Sequence, residues 1–255
     1  MTYLNEIDLK HAYEMMRQFF ARYDANDPGN RLKIVHTYHV ADNARILAEK
    51  LNLSKEDCDL AQLIGLLHDV GRFEELAIMK QFNNTRFDHA CYGVKMLKEG
   101  MLRDFINTDV YDEIICDAIA VHSLYELPEI KEERTLLHAK ILRDADKLDN
   151  FRVKIEEEVE NLFGCRANSR EAMENSIISD PVFEALASRR CVDVKDRMTP
   201  LDYYVTIIGF YFGIAFEETR SIIKEEKLIE KMVRRFEYRD DTTALRMETI
   251  LNLCS

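Results

Sequence analysis

Residues 54–75 read SKEDCDLAQLIGLLHDVGRFEE, and the fold class follows from how this stretch is punctuated. Ser54 and Asp57, three apart, have the order of a capping box, which satisfies exposed backbone N–H groups where a helix begins. Cys58, Ala61, Leu63 and Leu67 then recur as the apolar positions of that helix. Gly71 is expected to break it just beyond the adjacent pair His68-Asp69. A histidine and an aspartate closing an apolar helix are costly there unless something satisfies them.

The same period continues in both directions. Upstream, Leu32, Val35, His39, Ala41 and Ile46 stand among polar residues at helical spacings, and Leu47 and Leu51 extend the apolar side. Downstream, helices are expected from His89 to Lys98, stopped by Gly100, from about Asp109 to His122, and from Leu136 to Phe151. Asp180-Pro181 and Thr199-Pro200 each pair an N-cap residue with a proline suited to a first helical turn. Leu201 to Phe216 is rich in aromatics and reads as core, whereas Glu217 to Arg235 is strongly charged. Residues 164–180 are the most loop-like stretch and the candidate for a flap over a site. No alternating apolar/polar run calls for a strand, so the chain reads as all-α, one domain over residues 1–255.

Composition narrows the function classes. In 255 residues, 47% are hydrophobic and 32% charged, a globular balance with ample core. The formal charge of −12 argues against a nucleic-acid polymer as partner, which needs a basic face, but leaves room for a small phosphorylated substrate beside a bound cation. The uncharged stretch Tyr203–Phe216 is too short for a bilayer span, so no membrane partner is expected. No two of the six cysteines lie at a CxxC spacing, and MTYLNEIDLK lacks the pattern of a secretory leader; reduced thiols in the cytoplasm are the expectation.

The chemistry is expected from His39, His68, Asp69, His89, His122 and one of the aspartates in RDADKLDN (Asp144, Asp146 or Asp149). Set on apolar helical faces, these groups call for a shared partner, and a divalent ion is the simplest. Imidazole with carboxylate and no thiolate suits Fe, Mn, Zn or Co, with Mg as a further option. His68 and Asp69, about 100° apart on a helix, meet one ion only near a helix end. Asp69, having two oxygens, can bridge two.

In this order the residues resemble the H…HD…D motif of the HD-domain superfamily of metal-dependent phosphohydrolases: His39, then His68-Asp69, then Asp146. The resemblance covers roughly residues 30–155 and implies an all-α bundle with a helical extension over about 156–255. It favours Asp146 over its two neighbours and implies that His89 and His122 hold a second ion, as in binuclear members. Those members include HD-GYP phosphodiesterases and mixed-valent di-iron oxygenases; the GYP segment is missing here, and Arg72 stands where many members carry Lys.

The resemblance implies a hydrolase in which one or two ions activate water against a phosphate ester of a nucleotide or similar metabolite. Asp69, His89 and His122 are its expected catalytic groups. Arg72 and Lys147 are the expected substrate-binding cations, though Arg72 has a competing reading as an ion pair with Glu74 or Glu75. Two other readings keep the same residues: a di-iron oxygenase cleaving a C–H or C–P bond, and a nucleotide sensor without turnover. Asp88 is expected to orient a ligand histidine, and Asp144 and Asp149 to be solvated or capping. His36, one turn before His39, is expected in a capping or core role, and His11 and His138 in structural roles.

Overall fold

The computed structural model describes residues 7–80, 86–162 and 169–254, and among them every regular element is helical. The first helices are α1 (Leu9–Phe20), α2 (Pro28–Lys50), α3 (Lys55–Leu67), α4 (Val70–Met79), α5 (His89–Met96), α6 (Leu102–Phe105), α7 (Asp112–Val121) and α8 (Glu133–Glu156). There follow α9 (Arg170–Glu174), α10 (Asp180–Ala187), α11 (Pro200–Gly209), α12 (Glu217–Glu225), α13 (Leu228–Val233) and α14 (Asp241–Leu253). The chain divides into two compact units, residues 1–146 and 147–255, with the boundary inside α8.

In the first unit α3 is the central element: every residue from Cys58 to Leu67 is buried. A helix apolar on most sides belongs inside, and its two polar members there are satisfied. Asp59 accepts from Arg45 and Lys55, each at 2.7 Å, and Gln62 donates to the Tyr13 hydroxyl at 2.9 Å. Ser54 caps α3 as expected, accepting from Asp57 N at 3.1 Å. The Asp57 carboxylate does not complete the box; it accepts from Arg134 and lies 3.1 Å from His138 Nε2. His138, expected in a structural role, has Asp57 as its partner, and the start of α3 is fastened to α8.

Two glycines allow the close approaches that shape this unit. A Cβ on Gly65 would lie 2.8 Å from the Ala41 Cα, so α2 and α3 pack nearly backbone to backbone. A Cβ on Gly71 would lie 2.1 Å from the His89 carbonyl oxygen, so the start of α4 presses on α5. Gly71 therefore lies within α4 instead of ending α3. The break falls earlier, at Asp69, whose φ of −110° and ψ of 17° leave the helical path between Leu67 and Val70.

The second unit has its own core, with Val182, Leu186, Leu201, Tyr204, Met232 and Ile250 buried. Thr199 caps α11 with a full capping box and Pro200 at its first turn, as expected. Pro181 lies one position further into α10 than expected, behind Ser179 and Asp180. Of the flap expected at 164–180, residues 164–168, Cys165 among them, lie outside the described residues, and α9 occupies part of the rest. No helix among the described residues is long and apolar enough to cross a membrane.

Candidate metal centre

Helices α3, α4, α5, α7 and α8 deliver imidazoles and carboxylates to one largely buried place. His68 caps the C-terminus of α3 and Asp69 precedes α4; both are at most 2% exposed. His89 begins α5, His122 follows the last turn of α7, and Asp146 lies on α8. The ring centroids of His68 and His122 stand 5.3 Å apart, and those of His89 and His122 5.1 Å.

The α2 contribution is a correction. His39 is exposed and joins no group around Asp69. His36, one turn earlier, is 2% exposed, with Nε2 3.1 Å from Asp146 Oδ1 and 3.7 Å from Asp69 Oδ2. The buried face of α2 is not the one its larger apolar residues suggest: Val35, His39 and Ile46 lie on its outer side. The inner side carries His36, Thr37, Val40, Ala41, Ala44, Leu47 and Ala48. Small residues on that side admit α3 closely, and small residues give a weak hydropathy signal.

Asp69 divides its two oxygens. Oδ2 faces His36 at 3.7 Å and His68 at 3.5 Å; Oδ1 faces His89 at 3.5 Å and His122 at 3.7 Å. The donor atoms of His36, His68 and Asp69, and those of Asp69, His89 and His122, form two groups whose members lie within 4.8 Å of one another.

The donor chemistry fits metal ions. His68 Nδ1 donates to the Gly65 carbonyl at 2.7 Å and His122 Nδ1 to the Ile119 carbonyl at 2.7 Å, because a carbonyl can only accept. Each bond fixes the tautomer and leaves a lone pair on Nε2 facing the cluster. The His68 Nε2 is buried and has no hydrogen-bond partner among the described residues, a costly arrangement that a cation would relieve. His89 Nε2 and His122 Nε2 are 3.2 Å apart, close to the ~3.3 Å between two nitrogens bound tetrahedrally at ~2.0–2.1 Å.

Electrostatics keep these groups in ligand form. Burial alone would raise the Asp69 carboxyl, but the Lys33 ammonium and His68 outweigh it and hold it well below the usual range. Burial likewise acts upward on Asp146 and is outweighed by the hydrogen bond and charge of His36. Burial and the Arg72 charge push His89 down to about 2, against the pull of Asp69, so its imidazole is neutral.

Two cations flank Asp69. Lys33 Nζ donates to Oδ2 at 2.6 Å, a site residue that sequence reasoning missed. The available signal was its position one turn before His36, hidden once His39 was preferred. Arg72 was expected, and both of its readings hold in part. NH1 donates at 2.6 Å to the fully buried Glu75, while the buried Nε has no hydrogen-bond partner among the described residues and lies 3.7 Å from Asp69 Oδ1.

Other expectations need adjustment. The Lys147 ammonium donates to the Gly213 carbonyl, so it is engaged by backbone rather than presented to a phosphate. Asp144 and Asp149 are buried, not solvated, and Asp149 holds Arg152 through two hydrogen bonds. Asp88 serves the site by capping: it accepts from Cys91 N at 3.0 Å and so fixes the start of α5, where His89 sits. His11 Nε2 contacts the Asp104 carbonyl at 2.8 Å, away from the cluster.

Residues 34–150 match the family described as HD domain. No curated protein and no solved structure matches the chain. The matched span contains the six clustered groups His36, His68, Asp69, His89, His122 and Asp146, and begins one residue after Lys33.

Proposed function

We propose, from the premise that this chain belongs to the HD-domain superfamily through residues 34–150, that it is a metal-dependent hydrolase of a small phosphate ester, a nucleotide or a metabolite of similar size. The observation that carries the reading is the Asp69 carboxylate, which turns one oxygen to His36 and His68 and the other to His89 and His122. Ions held there supply Lewis acidity and a water acidic enough to attack phosphorus near neutral pH.

The chain's own residues supply the rest. Arg72, braced by Glu75, turns its unpaired Nε to the Asp69 side of the cluster, where it can hold an equatorial phosphate oxygen. Lys33 adds a second fixed positive charge beside Oδ2, which favours a dianionic phosphoryl group. His89 and His122 bring their Nε2 atoms within 3.2 Å of one another, placed to ligate, and the neutral His89 is placed to pass a proton to a leaving oxygen.

The test is turnover of a panel of phosphomonoesters and phosphodiesters with added Mn²⁺, comparing the native chain with His68→Ala and Asp69→Asn. Loss of turnover in both variants is the expected result; undiminished turnover in either overturns the reading. The second group, Asp69 with His89 and His122, also favours a di-iron oxygenase as an alternative. Elemental analysis and spectroscopy of anaerobically purified protein separate the two: a mixed-valent iron pair together with O₂ uptake would replace the hydrolase.

A further inference from the structure

His122 follows the last turn of α7, and the backbone beyond it has no regular structure until Glu133 opens α8. A helix C-terminus leaves carbonyl groups without intrahelical donors. Here one side chain meets them. Arg143 NH1 donates to the carbonyls of Val121 at 2.9 Å, His122 at 3.1 Å and Leu124 at 2.7 Å, and NH2 donates to that of Tyr125 at 3.3 Å. The side chains of Leu124 and Tyr125 are 44% and 50% exposed, so burial does little to hold this turn. Backbone bonds from His122 N to the Ile119 carbonyl and from Leu124 N to the Val121 carbonyl, each at 3.3 Å, share that task with the guanidinium.

Arg143 also lies one turn before Asp146 on α8. A single residue therefore ties the backbone of His122, in the Oδ1 group of Asp69, to the helix that bears Asp146, beside His36 in the Oδ2 group. The His122 imidazole is aimed by a second bond, from Nδ1 to the Ile119 carbonyl within the same turn, and that bond is only as well placed as the turn itself.

We propose that Arg143 is a positioning residue that makes the His89–His122 side competent for a second ion, and so decides between one-ion and two-ion chemistry; this rests on the metal-centre reading above. Four carbonyls in a fork match a planar guanidinium and not a single ammonium. All four of these Arg143 hydrogen bonds run to the backbone of the turn that carries His122, so its replacement acts on where His122 stands. Losing such an outer support weakens a metal site by ~10–100-fold.

The experiment titrates the full chain with Mn²⁺ and follows both ion count and electron spin resonance, for the native protein, Arg143→Ala, Arg143→Lys and His122→Ala. The native chain is expected to take two ions with an exchange-coupled signal. Arg143→Ala is expected to keep the first ion at near-native affinity, to bind the second ~10–100-fold more weakly, and to show the uncoupled six-line signal of His122→Ala. Arg143→Lys should fall between, and added guanidinium, but not urea, should restore coupling to Arg143→Ala. A coupled two-ion signal in Arg143→Ala at native affinity overturns the proposal. So does equal loss of both ions, or loss that guanidinium fails to repair. A native chain that binds no ion at all refutes the metal-centre reading itself, a result distinct from either.

Discussion

Replacing His36 by Ala, and separately His39 by Ala, tests which rung of α2 faces the cluster. His36 Nε2 stands 3.1 Å from Asp146 Oδ1 and 3.7 Å from Asp69 Oδ2, whereas His39 is exposed. Loss of a direct ligand should cost at least the upper end of the ~10–100-fold seen for outer supports. With ions at a hundred times the native dissociation constant, binding stabilises the folded chain by ~2.7 kcal/mol, and a hundredfold weaker site retains only ~0.4 kcal/mol. The ~2.3 kcal/mol difference lowers Tm by ~5–9 °C for a domain of this size. His39→Ala, a surface change, should stay within ~0.5 kcal/mol, or under ~2 °C. The assay is thermal unfolding with and without Mn²⁺, after chelator treatment, so that the ion-induced shift is separated from any intrinsic effect. If His36→Ala keeps the full shift while His39→Ala loses it, the placement of α2 argued here is wrong.

Three further outcomes follow from the same geometry. Gly71→Ala puts a Cβ 2.1 Å from the His89 carbonyl, so backbone must move; the expected loss is at least ~1–3 kcal/mol in urea unfolding, with weaker ion binding alongside, and an unchanged midpoint would contradict the close α4–α5 contact. Glu75→Gln leaves Arg72 without its buried anion and should destabilise by ~3 kcal/mol, while a change below ~0.5 kcal/mol would mean the pair carries no weight. His89, pushed down to about 2, and His138, lowered by burial against the pull of Asp57, take up protons less readily in the fold than in the unfolded chain. The unfolded chain binds more protons below ~6.5, so stability in chelator should fall as pH drops from ~7.5 toward 5. His138→Gln should flatten that slope, and a native Tm unaffected by pH over this range would rule the argument out.

The all-α class was legible because helical periodicity and capping residues such as Ser54 and Thr199 are local signals. His68, Asp69, His89, His122 and Asp146 were legible as polar groups on apolar helical runs, and the structure brings all five together. His36 was not, because the inner side of α2 depends on Ala41 and Ala44 meeting Gly65, a long-range contact that leaves no strong local pattern. Lys33 escaped notice for the same reason. Gly71 was read as a stop because glycine is ordinarily a stop; its use for close approach shows only when α5 is in place. The Lys147 hydrogen bond to Gly213 joins residues 66 positions apart, beyond the reach of any spacing argument.

The two-sided carboxylate of Asp69 makes the halves of the cluster electronic neighbours. A cation drawn to one oxygen would withdraw electron density from the other, so loading would not be two independent events. The first arrival would make its successor less welcome, and a titration would resolve into separated steps. Trace-metal supply could then set how many ions the protein carries, and with it which reaction it favours.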